Sequence, residues 1–229
     1  MKKYFLAVFL MVPVLAFAQR KGKVKEVKCD SLTCDYVVTM VVSYPDSVVS
    51  GDCIKILKDT MIIILYDKTP QHKNNFIKLA REGYFDGTTF HRVVPRFMIQ
   101  GGDVNSKDNN PYNDGQGSPG YTIPAELNPE YKHKKGAVAA ARMGDQMNPD
   151  KESNGSQFYI VQENTGAFHL DGSYTVFGEV VKGLSVIDKI ARQPVNPQNS
   201  RPIFDVKMII QIEQISKKRI TELYGYQYP

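Results

Sequence analysis

Residues 85–103 read FDGTTFHRVVPRFMIQGGD, and the fold is decided there. Two apolar, strand-like runs flank Pro95-Arg96; an Asp-Gly turn opens the stretch and Gly-Gly-Asp closes it. That alternation of β-formers with turn residues predicts a tight pair of strands. Arg92 stands among Phe90, Val93, Val94, Phe97 and Met98. A permanently charged guanidinium in such company is paired, lies with its stem on an apolar floor and its head in water, or takes part in chemistry.

Working outward, residues 61–66 (MIIILY) are β-branched and apolar, the pattern of a buried strand. Strand character also appears at residues 37–44 and 54–56, with Pro45-Asp46, Gly51-Asp52 and Lys58-Asp59 supplying turns. Thr69 followed by Pro70 predicts a helix start, and Gly83 its end. Beyond the central stretch, residues 104–120 predict a long polar loop. Strands follow at 137–141, 157–162 and 175–181, then a helix at 184–192 and a closing strand at 204–215. Many short strands and two helices predict a mainly β barrel or sandwich, with no second domain.

Composition excludes several functions. The charge of +5 falls by two to +3 if residues 1–18, which hold Lys2, Lys3 and no acid, are removed. With acids and bases interleaved, that is no nucleic-acid footprint. Residues 1–18 read as a secretory signal: Lys2 and Lys3, an apolar run over 4–15, and Ala16-Phe17-Ala18 before a cut ahead of Gln19. The apolar run is short for a membrane span, so a periplasmic or secreted chain without stable membrane insertion is expected. In an oxidising compartment Cys29, Cys34 and Cys53 predict one disulfide and one remaining thiol, with the pairing open. The expected organisation is a signal at 1–18, an extension at 19–50 with a polar lead over 19–35, a domain at 51–216, and a tail at 217–229.

Several motifs fail on context. Gly115 to Gly120 spells GxGxxG, but a polar loop precedes it and Pro119 and Pro124 deny it a helix, so it reads as a flexible glycine loop. His72, His91, His133 and His169 share no metal-ligand spacing, and His72 reads as exposed in the first helical turn. There is no GxSxG elbow and no cysteine after residue 53. No cofactor or metal is expected, and any catalysis would work by positioning and electrostatics.

Residues 90–103 (FHRVVPRFMIQGGD), 154–161 (NGSQFYIV) and 170–180 (LDGSYTVFGEV), in this order, resemble the cyclophilin-type peptidyl-prolyl isomerases over about residues 51–216. The resemblance implies a closed eight-stranded antiparallel barrel capped by two helices, with a shallow outer groove. It implies Arg92 as the catalytic residue. Phe97, Met98 and Gln100 match the proline pocket and its polar anchor, and Ala141 and Arg142, with Met143 after them, match the segment that pairs with substrate backbone. Gln157 and Tyr159 match residues that share one face of a strand, with Phe158 and Ile160 facing the core; Leu170 matches another pocket residue. His169 and Tyr174 complete the substrate-binding set where many members carry tryptophan and histidine, and Arg142 replaces an asparagine beside an inserted loop at 145–153. Missing the indole edge, the chain is expected to bind cyclosporin-type inhibitors weakly. The implied activity is X–Pro isomerisation by a monomer acting on proline-containing segments of exported proteins. A different-class alternative is a non-catalytic binding module or chaperone for such segments.

Overall fold

A computed structural model describes residues 29–30, 32–46, 55–108 and 110–229. The expected signal at 1–18, most of the polar lead, and Cys53 lie outside the described residues. Among the described residues ten strands and three α-helices follow one another: β1 (Cys34–Pro45), β2 (Ile56–Leu65), α1 (Pro70–Arg81), β3 (Arg92–Val94), β4 (Met98–Gly101), β5 (Thr122–Ile123) and β6 (Ala137–Ala140). Then come β7 (Ser153–Asn154), β8 (Phe158–Val161), β9 (Val176–Lys182), α2 (Leu184–Ala191), β10 (Lys207–Ser216) and α3 (Lys217–Tyr224).

Eight strands form one antiparallel sheet in the order β10-β1-β2-β9-β6-β8-β4-β3, and β5 pairs with β7 apart from it. This corrects the expectation of a closed barrel with two capping helices: the described residues form an open sheet with three α-helices. The reason lies in the central stretch. β3 is three residues long, cut short by Pro95, which cannot donate to a ladder. The chain ahead of it turns through Gly87 (φ 82°) and meets β10 at a single bridge, Thr89 to Lys207, rather than along a ladder.

The main core lies between the sheet and the first two helices. Phe76, Ile77, Leu79 and Ala80 of α1 and Val186, Ile187, Ile190 and Ala191 of α2 pack into it with Phe85, Phe90, Val93 and Ile99. Burial of one such side chain stabilises by about 1.5–3 kcal/mol. The first helix starts after Thr69, but the Thr69 hydroxyl donates back to the Tyr66 carbonyl at 3.3 Å. The Glu126 carboxylate instead accepts from the backbone N–H of Gln71 (3.0 Å) and His72 (2.9 Å), meeting the free donors of that helix end. His72 is 3% exposed, contrary to the sequence expectation, because its ring bridges Glu126 and Ser153.

Two further expectations change. No turn forms at Lys58-Asp59: β2 runs through it, pairing Lys58 with Ser43 and Asp59 with Val42, while Lys189 reaches Asp59 at 2.9 Å. The expected C-terminal tail contains α3, whose Ile220 is fully buried against Val37, Ile62 and Ile64. Ser216 caps it by accepting from the Arg219 N–H at 3.2 Å, and Gly225 (φ 70°) ends it. A disulfide joins Cys29 to Cys34. Among the described residues no helix is long and apolar enough to cross a membrane.

Candidate active site

The site grows out of strand register. Arg92 on β3 stands opposite Gln100 on β4, Gln100 opposite Tyr159 on β8, and Tyr159 opposite Ala139 on β6. Opposed residues in paired strands share a face, so these four side chains form a row across the sheet. Their sequence neighbours Val93, Ile99, Phe158 and Ile160 point the other way, into the main core. On the row's face a second apolar cluster forms around Met98, Ala139, Tyr159 and Val161, with Phe97, Ala141, Leu170 and Tyr174 packed on it.

These elements enclose a cavity of about 210 Å³ lined by Arg92, Phe97, Met98, Gln100, Ala141, Arg142, Tyr159, Leu170 and Tyr174. Nine of the residues singled out in the sequence thus meet at one place. His169 lies at the rim, its ring stacked on Phe97 at 5.8 Å between centroids. Gln157 lies behind, in the lining of an adjoining cavity. Met143 is 58% exposed and borders that same second cavity.

Arg92 is exposed and has no carboxylate partner among the described residues; its one hydrogen bond runs from Nη1 to Gln100 Oε1 at 3.2 Å. Gln100 Nε2 donates to Gln157 Oε1 at 3.1 Å. Gln157 Nε2 in turn donates to the carbonyls of Gly115 (3.0 Å) and Gly117 (2.8 Å). The glycine loop, read from sequence as flexible, is therefore the anchor of a relay that ends at the guanidinium. Buried Asp103 fastens the loop by accepting from the N–H groups of Gly115 and Asn105.

Sequence reading missed the support behind Tyr159. His133, wholly buried, meets the Tyr159 hydroxyl through Nε2 at 2.9 Å and Asp171 through Nδ1 at 2.7 Å. Burial holds His133 below its usual pKa despite the opposing Asp171, so the ring is neutral near pH 7. With Nδ1–H donating to Asp171, Nε2 accepts from the Tyr159 O–H. Burial also pushes the Tyr159 phenol far above its usual range. The hydroxyl is thereby turned away from the cavity and the ring alone forms its wall. The signal available in sequence was a histidine and an aspartate flanking two pocket elements, which no spacing rule joins.

The family model described as "Cyclophilin type peptidyl-prolyl cis-trans isomerase/CLD" matches residues 54–213. A peptidyl-prolyl cis-trans isomerase of Helicobacter pylori is 40% identical over 131 residues, 56% of this chain and 71% of that protein. Peptidyl-prolyl cis-trans isomerase B of Bacillus subtilis is 47% identical over 112 residues, 48% and 67% of the two chains. A solved cyclophilin-type isomerase of Cryptosporidium parvum, crystallised in the presence of the dipeptide Ala-Pro, shares the fold with a TM-score of 0.61 at 24% identity, over 77% of this chain and 98% of that one. With more than half its length matched by that family model, this chain belongs to the cyclophilin-type peptidyl-prolyl cis-trans isomerase family.

Proposed function

We propose that the chain accelerates cis/trans isomerisation of X–Pro bonds in polypeptides, with Arg92 as the catalytic residue and no covalent step. The uncatalysed rotation faces a barrier of about 18–20 kcal/mol and takes tens to hundreds of seconds. When the bond twists, amide resonance is lost and the proline nitrogen becomes pyramidal, with a free lone pair. A donor aimed at that nitrogen binds the twisted form more tightly than the planar one, which is transition-state stabilisation.

The observation that carries this reading is a guanidinium without a carboxylate partner among the described residues, at the edge of a cavity with an apolar wall. Gln100 holds one of its nitrogens and leaves the others available. Phe97, Met98, Tyr159 and Leu170 offer the proline ring an apolar seat, and an apolar seat favours the less charge-separated twisted amide. Arg suits the task better than Lys because its fork is planar and always charged. Each tenfold in rate requires about 1.4 kcal/mol, so one charge-assisted bond and a fixed ring account for several orders of magnitude.

The test is exchange NMR on an Ala-Pro-containing peptide with catalytic amounts of protein. Wild type should give fast cis/trans exchange, and Arg92→Ala should bring exchange to near background with the fold retained. Equal exchange in the two proteins would remove Arg92 from the mechanism. Background exchange in wild type, with the peptide bound, would replace the isomerase by a docking module.

A further inference from the structure

Gln100 and Arg142 are shared by three adjoining cavities: the one just described, a second of about 320 Å³ beside Met143 and Met147, and a third of about 350 Å³ beside Asp114 and Arg201. The Arg142 side chain is 2% exposed and is held from several directions. Its Nε donates to the Ser173 carbonyl at 2.9 Å and its Nη1 to the Met143 carbonyl at 2.8 Å. Its guanidinium lies 4.3 Å above the Tyr174 ring, which meets Tyr159 edge-on at 6.1 Å. Stacking of this kind fixes the plane of the fork. Nη2 has no hydrogen-bond partner among the described residues. The side chain is thus ordered before any ligand arrives, and a group meeting the Nη2 edge would lose little more conformational freedom.

The charge around that edge is one-sided. The lining of the first cavity contains two guanidiniums, Arg92 and Arg142, and no carboxylate. Of the acids on the adjoining surface, Asp145 meets Arg142 itself and two others are engaged with other side chains. Asp145 pairs with Arg142 Nη1 at 2.7 Å but is 69% exposed, where water screens it. Glu152 accepts from the Thr122 hydroxyl at 2.6 Å, and Asp114 from Arg201 at 2.5 Å. A proline seated in the first cavity would place its neighbouring side chain in a positive field with low-dielectric walls.

We infer that Arg142 is a specificity-determining residue that selects, by charge, the residue immediately before the proline, favouring a carboxylate over an ammonium group. The inference rests on the isomerase reading for the seat of the proline ring. Selection of this kind works by repelling the wrong partner as much as by attracting the right one.

The test uses Ala-Glu-Pro-Phe, Ala-Gln-Pro-Phe and Ala-Lys-Pro-Phe, with exchange and binding read from the same NMR spectra. Wild type should prefer the Glu peptide over the Lys peptide about tenfold, with Gln between them, and added salt should shrink the ratio. Arg142→Met should reduce the ratio several-fold, to what Arg92 alone sustains, while Arg142→Lys should keep most of it. Asp145→Asn, at an exposed position, should widen it and needs no change to the cavity wall. Equal handling of Glu and Lys peptides by wild type, or the same ratio in Arg142→Met, would overturn the inference. The Glu preference in binding without accelerated exchange would leave charge selection standing and remove the isomerase; accelerated exchange with no preference would do the reverse.

Discussion

At the scale of single residues, Arg92 is fixed through a relay of which it touches only the first member. Gln100 aims it, Gln157 aims Gln100, and two glycine carbonyls hold Gln157. Gly117 is where this relay is most easily broken: a Cβ there would sit 1.9 Å from Asp103 Oδ1 and 3.1 Å from the Asn105 backbone nitrogen. Gly117→Ala must therefore push the loop off buried Asp103 and carry the Gln157 acceptors with it. Turnover on an Ala-Pro peptide should fall at least tenfold, about 1.4 kcal/mol of transition-state stabilisation, with the far-ultraviolet circular dichroism unchanged. Unchanged turnover would mean that Gln157 holds its position without the loop. The two ends of this relay differed in legibility. Gln157 and Tyr159 could be placed on one face because strand periodicity fixes direction from spacing, and Arg92 and Gln100 were picked out by the family resemblance. The loop's role could not, because a polar glycine run looks the same whether free or pinned. His133 and Asp171, 38 residues apart, meet only through the fold.

At the scale of elements, the central hairpin was legible because its turn residues and β-formers agree locally. The last helix was not. Eight residues rich in lysine and arginine do not form a stable helix in water alone; α3 exists because Ile220 finds the outward face of β1 and β2. Beneath it Lys73 is buried between Asp35 (2.5 Å) and Asp67 (2.6 Å), and Lys217 adds a contact to Asp67 at 3.5 Å. The same distance in sequence hid the continuity of β2 through Lys58-Asp59, where Lys189 supplies the countercharge. Ile220→Ala should cost about 2–5 kcal/mol, the range for emptying a buried aliphatic site. Because α3 packs on a different apolar cluster from the one under the groove, peptide turnover at low temperature should stay within a factor of about two while the urea midpoint drops. Turnover falling in step with stability would show that the two faces are coupled.

At the scale of the whole molecule, patterning marked many short strands and the family resemblance implied eight closed into a barrel; the eight strands of the main sheet stay open, since closure turns on a three-residue strand and a single bridge. Patterning also read His72 as exposed and did not show which other histidines fold into the interior, and that governs stability against acid. His72, His91 and His133 are 3%, 5% and 0% exposed. Burial holds all three below their usual pKa, although Glu126, the Asp103 and Asp114 pair, and Asp171 respectively pull the other way. Arg92 and Arg201 add to the effect at His91, and His169 and Lys132 at His133. The sign follows from proton counting. Below about pH 6.5 the unfolded chain protonates these rings while the folded chain resists, so the unfolded state binds more protons and stability falls as pH falls. Above that pH none of the three contributes a slope. The decline ends once the pH passes below the depressed folded-state values. A separate decline begins only in the carboxylate range: the Tyr44 hydroxyl, against burial, holds Asp59 below its usual pKa, and that stabilisation is lost as Asp59 protonates. Urea midpoints should therefore be level between about pH 7 and 8 and fall on going from about pH 6.5 to 5. Neither ring nitrogen of His91 has a hydrogen-bond partner among the described residues; with His91 one of three such rings, His91→Gln should lessen the fall by about a third. Midpoints level down to pH 5 in wild type would mean that the rings take up their protons inside the fold, with their carboxylates compensating the burial in full.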